Sequence, residues 1–176
     1  MYPDPYIEYL AHFHGDQDFF ECHEILEEYW KEVDCGNKES IWVAFIQLSV
    51  GCYHFRRGNA KGAARILKKS LSIFKSREEL LPSLGIDSQM LFTNIENLIE
   101  EACSGKSFKG FSIPIADEQL HNLWKMECLR KGHQTENADY IPPKAIIDRH
   151  STRDRTSVIL EREQALMLRK EKERRK

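Results

Sequence analysis

The segment GluCysHisGluIleLeuGluGluTyrTrp (21–30) carries the residues best suited to chemistry. His23 and Glu27 are four apart, so on a helix they share one face within about 40°. An imidazole there lies at the edge of an apolar stripe and needs a polar partner, because an unpaired buried imidazole is costly. A second segment, IleTrpValAlaPheIleGlnLeuSerValGlyCysTyrHisPhe (41–55), is apolar almost throughout except at Gln47 and His54, which are seven apart and therefore on one side. A polar stripe on an apolar helix must face something polar. The economical arrangement sets His23 and Glu27 opposite Gln47 and His54, with His12 and His14 approaching one end. Two kinds of chemistry would suit that cluster. It can be a satisfied polar network that fixes helix register, or it can hold a divalent metal, with Glu27 and a histidine serving alternatively as an acid/base pair. His23, Glu27 and His54 are thus the candidate catalytic and metal-ligating residues, with Glu24 or Gln47 assisting.

Several named site types are absent. His23-Glu24 begins a zinc-protease string, but Glu27 stands where its second histidine belongs. Paired Glu-x-x-His motifs of di-iron bundles do not occur, nor does a phosphate loop, nucleophile elbow or dinucleotide fingerprint. Arg56, Arg57 and Asn59 close the second segment. They suit the negative end of a helix dipole, or an anion held with the free amides of the next helix.

Helices must position these residues. Asp16 or Asp18 caps a first helix that runs to Val33, with Phe19, Cys22, Leu26, Trp30 and Val33 as its stripe. A second helix, 40–56, is buried on most sides. Asn59 caps a third, whose inner face is Ala60, Ala63, Ala64, Leu67, Leu71 and Phe74 and whose outer face is Arg65, Lys68, Lys69 and Lys75. Ser76 and Glu79 have the spacing of a capping box before a short turn that ends at Pro82. A fourth helix starts near Asp87 or Ser88 and closes at Gly105. Residues 107–114 form an irregular strap, and a fifth helix runs from Asp117 to about Lys131 with Leu120, Leu123, Trp124 and Leu129 as anchors. Gly51, Gly58, Ala63 and Leu67 approach the spacing of one tetratricopeptide hairpin, but solenoids need about three copies. The fold class that follows is all-α: an antiparallel bundle of four to five helices with a charged, helical C-terminal tail. The bundle is expected over 1–132, a linker over 133–143 and the tail over 144–176.

The chain has 176 residues, 41% of them hydrophobic, and a formal net charge of −2. That near balance hides segregation. Residues 1–39 carry 11 acidic and 2 basic side chains, whereas 40–79 carry 8 basic and 2 acidic. The basic third helix and tail suggest nucleic acid as one partner class, and a helical face suggests a protein partner. The longest apolar run, 41–50, is far short of the roughly 20 residues that a membrane span needs. Five cysteines without CxxC spacing fit reduced thiols, and no signal peptide is visible, so a cytoplasmic protein is expected.

The paired segments 13–31 and 45–63 resemble the bacterial and archaeal domain-of-unknown-function 309 family, over about residues 10–75. The resemblance implies a small all-helical bundle and marks His14, Glu21, His23, Glu24, Trp30, Gln47, His54, Arg57 and Asn59 as matching positions. It supplies no activity. The leading expectation is therefore a binding or scaffold module. A metal protein or hydrolase-type enzyme centred on His23, Glu27 and His54 is the alternative, followed by nucleic-acid binding through the third helix and tail.

Overall fold

A computed structural model describes residues 1–133 and 140–152; the linker residues 134–139 and the expected tail helix over 155–175 lie outside the described residues. The described chain is all-α. Helix α1 spans Asp4–Ala11, α2 Phe19–Val33, α3 Ile41–Arg56, α4 Ala60–Ser76, α5 Ser88–Cys103 and α6 Glu118–Lys131, with the short α7 at Lys144–Ile147 and α8 at Arg149–Thr152. No strand occurs among the described residues; a single antiparallel bridge joins Ile86 to Ile115.

Most boundaries follow from side-chain caps. Asp18 accepts from the Glu21 N–H, Ser40 from Trp42, Asn59 from Gly62, Asp87 from Met90 and Asp117 from Leu120. Each satisfies one of the amides left without a partner at a helix start. Ser76 departs from its expected role. Its hydroxyl donates back to the Ile73 carbonyl at 2.9 Å, and the following 3-10 turn at Glu78–Leu80 has no side-chain cap. Val33 and Leu129, expected on buried stripes, are exposed, because each lies in the last turn of its helix, beyond the neighbour that would cover it.

Helix α3 is the axis of the bundle, packed by α2 on one side and α4 on another. Its Gly51 makes the second contact possible, since a Cβ there would fall 2.5 Å from Leu67 Cδ2. Ser70 strengthens the seam by donating to the Ala44 carbonyl at 2.7 Å, with both residues buried. The outer face of α4 leaves Arg65, Lys68 and Lys69 exposed, as its pattern requires.

Helix α1 is an element the sequence reading did not include. Pro5 in its first turn costs no hydrogen bond, because that N–H would be unpaired anyway. Tyr6, Tyr9 and Leu10 are fully buried, and the Tyr9 hydroxyl donates to the Phe45 carbonyl at 3.0 Å. Tyr6, Tyr9 and Phe74 surround the Phe45 ring with centroids 4.9–5.8 Å away. These offset and edge-on contacts add about 0.5–1.5 kcal/mol per pair beyond area burial. Helix α1 also packs on α6, closing the bundle.

Candidate functional site

Between α1 and α2 the chain makes one π-helical turn, His12–Asp16, closed by Gln17 at φ 53°. Left-handed backbone is uncommon away from glycine, and π turns recur at functional sites. Two side chains hold the turn from below. Arg56 Nη1 donates to the Gln17 carbonyl at 2.7 Å while its guanidinium lies 4.6 Å from the centre of the Phe19 ring. Asp18 is fully buried, caps α2 and pairs with Arg149. Burial lowers the pKa of Arg56, and the Asp18 charge opposes that shift.

On one side of the turn His14 lies against α6. Its ring is 5.0 Å from Trp124, tilted by 33°, and 5.6 Å from Phe13. Burial, with His121 nearby, brings its pKa down to about 4, so the imidazole is neutral near pH 7. Its Nε2 and the Trp124 Nε1 are buried with no hydrogen-bond partner among the described residues. Both residues line a cleft of about 550 Å³ whose other walls include Phe13, Gln17, Lys109 and Phe111. The residues Lys109–Ile115 of the strap form its rim.

On the other side, His12 Nδ1 is 3.0 Å from Asp16 Oδ1, and His133 Nε2 is 3.6 Å from Asp16 Oδ2. Burial opposes the Asp16 charge. The hydrogen bond and charge of His12, the His133 charge and the Asp18 amide outweigh it and hold the carboxyl below its ordinary pKa.

The residues singled out by sequence fall into separate places. His23 pairs within its own helix, Nδ1 to Glu24 at 3.1 Å and Nε2 to Glu27 at 3.2 Å, and Glu27 also meets Lys31 at 3.0 Å. His54 instead lies 3.2 Å from the Asn59 amide, and its pKa is lowered by burial and then by Arg57 and Arg65. No hydrogen bond or ion pair among the described residues joins His54 or Gln47 to His23 or Glu27. Gln47 Oε1 is buried without a partner. His14 lines the cleft beside Trp124, and His12 turns toward Asp16. Glu21 lies 3.4 Å from Arg149. Trp30 donates to the Asn37 carbonyl at 3.0 Å and pins the turn after α2. Arg57 bonds Asp148 and His150 at 3.0 Å each, and Asn59 caps α4. Sequence reasoning missed Asp16, Trp124 and His133 as members of a site. The pair His12 and Asp16, four apart like His23 and Glu27, was the available signal.

The fold and site define a small helical bundle with a polar site built on a π turn. The chain belongs to the family described as "Domain of unknown function (DUF309)", which residues 6–66 match. It is 41% identical over 170 residues to "Uncharacterized protein YpuF" of Bacillus subtilis (strain 168), an alignment that takes in 97% of this chain and 98% of that protein. No solved structure matches the chain. No helix among the described residues is long and apolar enough to cross a membrane.

Proposed function

We propose that the protein is a binding module and that its ligand seats in the cleft between the π turn, the strap and α6. One observation carries this reading: His14 Nε2 and Trp124 Nε1 are buried at the wall of that cleft with no hydrogen-bond partner among the described residues. Each such group costs about 1–3 kcal/mol when left without a partner. A ligand that supplies partners recovers that cost. The indole N–H can only donate, so the ligand must bring an acceptor oxygen. Neutral His14 completes the pair through whichever tautomer the ligand requires. Phe13 and Phe111 offer flat apolar walls, and Lys109 adds a cation at the rim. The chemistry that fits is a small planar organic acid, in a cleft whose volume lies within the roughly 300–1,000 Å³ of ligand pockets.

Fluorescence titration with benzoate, salicylate, nicotinate and indole-3-acetate tests this reading. Saturable quenching that disappears in Trp124→Phe and weakens in His14→Ala supports it. Quenching that survives in both variants, or none with any of these acids, rejects it.

A second reading, a divalent cation held on α2, is favoured by the grouping of His23, Glu24 and Glu27, whose ligand atoms lie within 4.8 Å of one another. Loss of Zn²⁺ binding in His23→Ala would support it, and unchanged binding would reject it. The nucleic-acid reading would rest on exposed Arg65, Lys68 and Lys69 together with a tail that lies largely outside the described residues.

A further inference from the structure

The π turn presents a second group of side chains that takes no part in the cleft. We propose that His12, Asp16 and His133 form a three-ligand site for a divalent cation of the zinc type. One nitrogen from each imidazole and a carboxylate oxygen all lie within 4.8 Å of one another. His12 Nδ1 stands 3.0 Å from Asp16 Oδ1 and His133 Nε2 3.6 Å from Asp16 Oδ2, so each oxygen of one carboxylate faces one imidazole. Ligands about 2.0–2.1 Å from a tetrahedral zinc stand about 3.3 Å apart, a spacing within the 4.8 Å over which the three ligand atoms converge.

The hydrogen bonding of His133 points the same way. At 3.6 Å its Nε2 is beyond hydrogen-bond reach of Asp16. Its Nδ1 is buried with no partner among the described residues. A purely structural His–Asp–His bridge would hydrogen-bond through one of these nitrogens; among the described residues Nε2 makes only the 3.6 Å ion pair and Nδ1 makes no hydrogen bond. The two rings stand 4.9 Å apart around one carboxylate.

The backbone is shaped to admit this approach. A Cβ on Gly15 would meet both His133 Cβ and Cys128 Sγ at 3.0 Å, so the glycine lets the end of α6 lie against the turn. The Cys128 thiol is turned to the Ala11 carbonyl at 3.4 Å and does not belong to the group of converging ligand atoms. Two imidazoles and one carboxylate form a borderline-soft donor set suited to zinc, or to iron(II), with a position left open for water or a substrate oxygen. Glu8 and Glu127, both facing Lys131, add negative charge nearby.

The test uses full-length, tag-free protein stripped of metal, titrated with Zn²⁺ by calorimetry and with Co²⁺ by visible absorption. The expected result is binding of about one equivalent, with the intense cobalt bands of a four- or five-coordinate site. Measured in a His23→Ala background, which removes the α2 group, binding should persist and His133→Ala or Asp16→Asn should weaken it about tenfold or more. Equal affinity with and without His133→Ala in that background, loss of binding in His23→Ala alone, or no binding by the parent would overturn the proposal. Circular dichroism verifies that each variant folds. Should neither π-turn variant fold, the parent's cobalt spectrum decides, since weak octahedral bands count against the site. Cleft and metal centre share no residue, so failure of one leaves the other standing.

Discussion

The molecule holds two histidine–carboxylate groups, one on a regular helix and one on a π turn. On α2, His23, Glu24 and Glu27 meet through helical spacing alone, with side chains 28–34% exposed. Both carboxylates that meet His23 belong to its own helix, and Lys31 of that helix meets Glu27. At the π turn, His12 and Asp16 have the same spacing, but the third member arrives from beyond α6, and side-chain exposure is only 10–16%. The first group is paired and half-buried. The second is more deeply buried and leaves His133 Nδ1 without a hydrogen bond among the described residues. Local spacing brings groups together and lets them satisfy one another, whereas convergence of distant segments leaves polar atoms free for something else.

Breaking the buried region should cost far more than breaking the exposed one. The largest effect is expected for Asp18→Ala, which removes the α2 cap and leaves Arg56 and Arg149 without their buried anion. Loss of about 3 kcal/mol in urea denaturation is predicted, with Asp18→Asn recovering the capping part.

Next comes acid. In the unfolded chain a histidine takes a proton near pH 6.5, but folded His14 does so only near pH 4. Between those values the unfolded state binds the extra proton. Stability is therefore complete above about pH 6.5 and falls as the pH drops, by about 2 kcal/mol at pH 5. The difference between the parent and His14→Gln across pH 7 to 5 isolates this contribution; a parallel pH dependence in the two proteins would contradict it.

Gly15→Ala should cost about 1 kcal/mol, since Cys128 and His133 must both yield a few tenths of an ångström. The same change should weaken Zn²⁺ binding by displacing His133. The smallest effect is reserved for His23→Ala, about 0.5 kcal/mol or less, because exposed pairs of this kind contribute little. A larger loss there would erase the contrast between the two regions.

The same contrast explains what the sequence made legible. Caps at Asp18, Asn59, Asp87 and Asp117 are local chemistry, and the helices they start are where the pattern places them. The uniformly apolar α3 could be read as the central helix for the same reason. Helix α1 was hidden behind Pro3 and Pro5, since proline disfavours helical backbone in the residue before it, although Tyr6, Tyr9 and Leu10 already had helical spacing. The geometry of the α2 group was half legible: His23 with Glu27 follows from the helix, but its juxtaposition with His54 assumed a facing rotation of α3 that the contacts do not show. The π turn could not be read, because an inserted residue in a helix is stabilised by tertiary packing and leaves no periodic trace. Gly15 was its one local hint, and His133 is joined to it only through the docking of α6.

The Gly51–Leu67 seam has a consequence for the order in which the molecule assembles. It unites neighbouring helices across a three-residue turn, so the chain entropy lost in closing it is small, and the α3–α4 hairpin is expected to supply the folding nucleus. The contact of α1 with α6 closes most of the chain's length and belongs to the last step. Amides of the π turn should then exchange with solvent through partial opening well before those of α3. The part of the molecule richest in unpaired chemistry is also the part that forms last and opens first.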